Sequence, residues 1–262
     1  MDTIAQGSTP MTPKDVLEVL LIAFEAAADA FPRFLLAYAE PHKTDDGTTA
    51  WLIWHVDDLK NPPAHALELS FTPSKVVTAL ERSNMCDFFT FLLEAEANKK
   101  MYEYFGGDAH WLILFPKSEL ILAFRNDAGI FDVPRHSVLA VPTGDGDENL
   151  IMDGTAVQFG WKAEEWLLPT DEYMNTHLGG QGELKDRMVW PSETQKNATR
   201  AASRGRDEGF WAIVYHRMQK LLVELQWDAL GKMTREKRVE VVKEQAELKF
   251  DGAWEEACEL CG

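Results

Sequence analysis

Apolar residues recur at every third or fourth position through Val16, Leu17, Leu20, Phe24, Ala27, Ala28 and Phe31, the spacing of one face of a helix. Thr12 is a natural N-cap and Pro13 fits the first helical position, where its missing N–H costs nothing. Asp15 favours the positive end of the helix dipole, and Pro32 stops the run. The spacing therefore predicts an amphipathic first helix.

Shorter runs follow. Phe34–Tyr38, Ala50–Val56 and Ala66–Phe71 are aliphatic or aromatic and are separated by Thr44-Asp45-Asp46-Gly47 and Asn61-Pro62-Pro63, which predicts three strands in a meander. Thr72-Pro73 repeats the cap-plus-proline signature for a helix through Val76, Val77 and Leu80. Asn84 and Asp87 restart it for Phe88, Phe91, Leu92 and Ala95, and Gly106-Gly107 ends it. A second block of strands is expected at His110–Phe115, Leu120–Phe124, Ser137–Val141 and Thr155–Trp161. Residues 169–209 are polar, with Gly179-Gly180-Gln181-Gly182, and read as a long loop or linker. Trp211, Val214, Met218, Leu221 and Leu225, then Gly231, then Thr234 with Val239, Val242 and Ala246, predict a helical hairpin over 210–250. Residues 1–11 are expected to be disordered, 12–168 to form the body on which the hairpin packs, and 251–262 to be an acidic tail. The fold class is α+β: an antiparallel sheet of about six to seven strands with helices packed on it, plus the C-terminal helical hairpin.

Composition narrows the class. With 45% hydrophobic residues in a chain of 262, wholesale disorder, a collagen-like fibre and a disulfide-stapled miniprotein are excluded. Lys+Arg 26 against Asp+Glu 43 leaves a net charge of −17, and residues 1–182 hold 12 basic and 28 acidic groups. So negative a surface repels phosphate backbones, and nucleic acid is not an expected partner. No apolar run approaches the ~20 residues of a bilayer span, so no membrane is expected either. The first ten residues lack the positive start and apolar stretch of a secretory signal. Three cysteines are too few for a disulfide framework, which points to a reducing, cytoplasmic setting. Cys258-Glu-Leu-Cys261 has no second ligand pair for zinc and reads as a tail carrying two thiols.

The common catalytic signatures are missing: no G-x-G-x-x-G, no G-x-x-x-x-G-K-[ST], no H-E-x-x-H, no G-x-S-x-G. Asp145, Asp147 and Asn149 mimic calcium-loop positions, but Leu150 stands where the turn needs Gly and Ala156 where a bidentate Glu belongs. Cys86 near a helix start, His110 at a strand start and Asn126 or Asp127 after the next strand follow the order of a thiol–imidazole–carboxamide or carboxylate site. Against that, Met85, Phe88 and Phe89 around Cys86 suit a small buried hydrophobe.

The sharpest constellation is Trp54-His55-Val56-Asp57. Residues two apart on a strand face the same way, so His55 and Asp57 offer two corners of a facial metal triad. His177 lies in a glycine-rich stretch, and Arg187, ten residues on, suits bidentate pairing with a carboxylate. This stretch resembles the W-H-x-D element of iron(II)/2-oxoglutarate dioxygenases. The resemblance implies His55, Asp57 and His177 as iron ligands, Arg187 as the 2-oxoglutarate anchor, and hydroxylation of a small substrate. The leading functional expectation is nevertheless a binding or interaction module for a protein or small-molecule ligand, with the dioxygenase as its alternative. The sequence sets neither the ligand's identity nor the oligomeric state.

Overall fold

A computed structural model describes residues 11–261 except 32–35, 45–46, 56–66, 69–71, 125–134, 143–148, 179–187, 190, 193–195 and 198–205; for 36–38, 54–55, 67–68, 188–189, 206–208 and 261 it describes the backbone alone. The expectations placed on residues 1–10, on Asn61-Pro62-Pro63 and on the glycine-rich 179–182 lie outside the described residues.

Helix α1 (Pro13–Asp29) begins as its sequence dictates. Thr12 Oγ1 accepts the Asp15 N–H at 3.2 Å while the Asp15 carboxylate accepts the Thr12 N–H at 2.9 Å, a reciprocal cap that satisfies two donors the helix cannot pair itself. Val16, Leu17, Leu20, Phe24 and Ala27 are fully buried, and so are Val19 and Ala23 on other sides of the helix. The burial is wider than one stripe because α1 is surrounded by α3 (Cys86–Phe105), α5 (Arg206–Glu224) and α7 (Arg235–Phe250). Two ion pairs lock α7 onto it: Arg235 Nε reaches both Glu18 carboxylate oxygens at 3.0 Å, and Arg238 pairs with Asp15.

Trp211, Val214, Met218, Leu221 and Leu225 are all buried along α5 and its end. A short turn of helix, α6 (Trp227–Leu230), precedes Thr234, whose hydroxyl caps α7 by accepting the Lys237 N–H at 3.4 Å. The last residues fold back as α8 (Ala253–Cys261) against α5. Trp254 there meets the rings of Phe31 and Phe210.

Nine strands are described, and they divide between two sheets rather than forming one. The first sheet has the order β3-β1-β2-β5, with β1 (Leu36–Lys43), β2 (Thr49–His55), β3 (Leu67–Glu68) and β5 (Leu120–Phe124). It departs from a simple meander: β3 returns to the far edge of β1, and β5 joins β2 in parallel. Parallel partners need a crossover connection, and here α2 (Ser74–Glu81), α3 and a strand of the other sheet supply it. The second sheet, wholly antiparallel, has the order β8-β7-β6-β4-β9, with β4 (His110–Leu114), β6 (His136–Pro142), β7 (Asn149–Met152), β8 (Leu167–Pro169) and β9 (Met188–Val189). Thr155–Trp161, expected as a strand, is instead a 3-10 turn, Ala156–Phe159, closed by Gly160 at φ 81°. Inside the polar stretch after residue 169, Thr170–His177 forms helix α4.

Both faces of the second sheet are covered. Trp111, Ile113, Leu139, Val141 and Met152 join the helical core. Their neighbours in the strands, Leu112, Leu114, Val138 and Ile151, face the other way toward Phe159, Trp161, Tyr173 and Leu178, as the two-residue period of a strand requires. A third cluster packs Ala39, Trp51 and Ile53 of the first sheet on Val76, Ala79 and Leu80 of α2. Among the described residues no helix is long and apolar enough to cross a membrane.

Candidate functional site

Helix α3 starts abruptly. Asn84 adopts φ 60°, in the left-handed region that few residues other than glycine and asparagine accept. Met85 is the N-cap, without a side-chain hydrogen bond, and Cys86 is the first residue of the helix. The thiol thus stands at the positive end of the helix dipole, beside first-turn N–H groups that have no partner within the helix. Asp87, next in line, accepts a hydrogen bond from Ser137 Oγ of β6, and Trp111 Nε1 donates to the same hydroxyl at 2.9 Å. That tie fixes the first turn of α3 against the start of β6. His136, one residue before Ser137, comes to lie near Cys86, whose sulfur favours the charged form of its imidazole.

The β6–β7 hairpin supplies the third group. Its register sets Met152 opposite Leu139, so the following Asp153 comes level with Val138 and shares a face with His136 two residues away. His136 Nε2 meets Asp153 Oδ2 at 2.7 Å, and both side chains are fully buried. Asp153 is oriented further by the Thr155 N–H, donating to Oδ1 at 3.0 Å, and by the Tyr173 hydroxyl, donating to Oδ2 at 2.8 Å. With Nε2 committed to Asp153, His136 Nδ1 has no hydrogen-bond partner among the described residues. Phe159 lies edge-on to the imidazole at 4.5 Å between ring centres.

Burial opposes a charge on His136, but the Asp153 carboxylate and the Cys86 sulfur outweigh it and raise its pKa from 6.5 to about 10. Burial likewise opposes ionisation of Asp153. The His136 charge, with hydrogen bonds from His136, Tyr173 and the Thr155 backbone, prevails and lowers its pKa. The two form a buried imidazolium–carboxylate pair. Tyr173 is held protonated, first by burial and then by the neighbouring carboxylate.

Two further residues bind this arrangement together. Gln158, buried in the 3-10 turn, accepts the Asn84 N–H at 3.3 Å and donates to Thr155 Oγ1 at 2.9 Å. Gly154 brings the Asp153 turn onto α3 so closely that a Cβ would stand 2.5 Å from the Phe89 ring. Behind this turn a cavity of about 160 Å³ lies between α1 and α2, lined in part by Leu21, Glu25, Arg82, Gly154 and Trp166.

His177, expected in a loop, is the last residue of α4. It is almost wholly buried, stacks on Trp161 at 4.0 Å and meets Tyr173 edge-on at 4.7 Å. Among the described residues neither ring nitrogen has a hydrogen-bond partner, and Glu165 Oε2 stands 3.7 Å from Nε2. Burial lowers its pKa, partly offset by Asp153 and Glu165. The side chain of His55, and the whole of Asp57 and Arg187, lie outside the described residues. Among the described residues no three His, Cys, Asp or Glu side chains are grouped to hold a metal ion.

The structure does not bring His110, the histidine expected with Cys86, to the His136–Asp153 pair. His110 is exposed at the start of β4, pairing with Ala140, whereas His136 lies opposite Leu114 at the far end of that strand, about 13 Å away at the rise of a strand. Asn126 and Asp127 lie outside the described residues. A signal for the actual pair was present: a histidine entering one strand of a hairpin and an aspartate leaving the other. Compared with known proteins, the chain matches no family model, and neither a curated protein nor a solved structure is similar to it.

Proposed function

We propose that the protein is a cysteine-nucleophile enzyme of acyl transfer, acting on an amide or ester carbonyl of a protein or small-molecule ligand. One observation carries this reading: a single buried imidazole, His136, is held by Asp153 at Nε2, 2.7 Å away, near the thiol of Cys86 at a helix start. A nucleophile, a base and a group that orients the base are the elements such chemistry needs.

In this mechanism the sulfur of Cys86, as thiolate, is the attacking species. Sulfur adds to the carbonyl carbon, and the negative charge that develops on oxygen faces the uncapped N–H groups of α3. As the tetrahedral intermediate collapses, His136 gives its proton to the departing amine or alkoxide and becomes neutral. It then takes a proton from the water, or other acceptor, that attacks the thioester, restoring the free thiolate and the imidazolium. Asp153 holds the ring in one orientation throughout and stabilises its charged form.

The test is alkylation by iodoacetamide with each cysteine read by peptide mass mapping, alongside turnover of an activated ester. Cys86, although buried, is expected to react ahead of the exposed Cys258. His136→Gln is expected to slow Cys86 by roughly a hundredfold, the lower range for loss of a general base. Labelling of Cys86 only after unfolding would sink the reading.

A further inference from the structure

The nucleophile and the acid stand 67 positions apart in the chain, yet one side chain bonds to both their turns, at the Asn84 backbone N–H and at the Thr155 hydroxyl. We infer that Gln158 is a positioning residue for the nucleophile: its carboxamide holds the left-handed turn at Asn84 and thereby sets the Cys86 sulfur against His136. This rests on the acyl-transfer reading above and adds a residue that does not touch the reacting atoms.

The bonds form a chain from Asn84 to His136. The Asn84 N–H donates to Gln158 Oε1, Gln158 Nε2 donates to Thr155 Oγ1, the Thr155 N–H donates to Asp153 Oδ1, and Asp153 Oδ2 holds His136. His136 in turn lies near Cys86, two residues beyond Asn84. Asn84 is the one described non-glycine residue at positive φ, a conformation that persists only where its surroundings impose it. Gln158 is 6% exposed and uses both ends of its amide, accepting from a backbone N–H and donating to a hydroxyl at once. Met85 and Cys86 lie between Asn84 and the Asp87–Ser137 tie, so slack at Asn84 displaces the sulfur, and misplacement of a reacting group by about 1 Å costs up to a hundredfold in rate.

The experiment measures Cys86 alkylation and ester turnover in the full chain for the wild type, His136→Gln, Gln158→Met and the double variant Gln158→Met/Asn84→Gly. Methionine fills the same volume without polar atoms. Gln158→Met is expected to slow Cys86 alkylation and to lower kcat by roughly tenfold with KM unchanged, while the circular dichroism spectrum stays that of the wild type. Glycine adopts φ 60° without support, so Asn84→Gly in that background is expected to recover most of the lost rate. A merely structural glutamine would lower the melting temperature with no such recovery. If His136→Gln slows Cys86 and Gln158→Met does not, the positioning role is overturned and the acyl-transfer reading stands. If neither variant changes an unreactive Cys86, both fall together.

Discussion

The two faces of the second sheet are built on opposite principles. On the side of α1 and α3, Leu139, Val141, Trp111 and Met152 pack into a large apolar core whose ion pairs lie at its margin. On the other side, the same strands bury an imidazolium–carboxylate pair, a tyrosine hydroxyl and a second, unbonded histidine among aromatic rings. An apolar face needs only volume, so its members are replaceable at the cost of a cavity. A face with buried charge needs every donor and acceptor matched, because each unmatched group costs its full desolvation. The second face is expensive to maintain for stability alone, and under the acyl-transfer reading proposed above the thiol at its edge gives it a use.

The sharpest way to separate the faces is reactivity. Cys86→Ser or His136→Gln is expected to cut ester turnover by roughly a thousandfold or more, whereas Leu139→Ala on the opposite face leaves the rate per folded molecule within about twofold. Stability comes next, and here the faces are expected to look alike. Asp153→Ala strands a buried cation and is expected to cost about 3–5 kcal/mol in denaturant unfolding. Leu139→Ala opens a cavity costing about 2–5 kcal/mol. Equal losses of stability with unequal losses of Cys86 alkylation would confirm the division, and parallel losses of both would erase it.

The two histidines divide the polar face by pH. His136 has a folded pKa raised from 6.5 to about 10, so its contribution is complete below about 6.5 and is lost as pH rises toward 10. His177 has a lowered folded pKa, so its neutral form contributes above about 6.5 and that stability is lost as pH falls below it. Urea midpoints across pH should therefore decline on both sides, with His136→Gln flattening the alkaline decline and His177→Phe the acid one. An alkaline decline unchanged in His136→Gln would show that the pair is not ionised as described.

Smaller effects refine the contrast. Gly154→Ala drives a methyl into the Phe89 ring and is expected to cost about 1–3 kcal/mol, with slower alkylation of Cys86 because Asp153 moves with the turn. Lys75→Ala removes a 2.9 Å pair with Glu119 that is more than half exposed at both ends; a change below about 1 kcal/mol is expected.

How much of this was legible in the chain varied with how local its causes are. Thr12, Pro13 and Asp15 specify the start of α1 by contacts within one turn, and Thr234 does the same for α7. The parallel pairing of β5 with β2 is not local. Leu120–Phe124 follows β4 after a short turn and looks like its hairpin partner, but Lys117 and Glu119 donate their N–H groups to the carbonyls of His177 and Phe159, which leads the strand away into the other sheet. At the site, the helix start near Cys86 could be read, but the histidine expected beside it, His110, sits at the other end of β4 from His136. His136 was missed because it sits at the strand's edge, before Ser137, and Asp153 because Thr155–Trp161 looked like the strand that is in fact Asn149–Met152. Only the hairpin register brings those two together. The Trp54-His55-Val56-Asp57 reading was purely local, and its partner His177 turns out to belong to an aromatic stack.

The clasp between the first helix and the seventh has a consequence for biosynthesis. Glu18 and Asp15 are held by Arg235 and Arg238, more than two hundred positions later in the chain. At roughly 5–20 residues per second of translation, the apolar flank of α1 waits some ten to forty seconds for its cover. Until then it is a sticky nascent segment, so a ribosome-associated chaperone should matter more to the yield of this protein than to its refolding once complete.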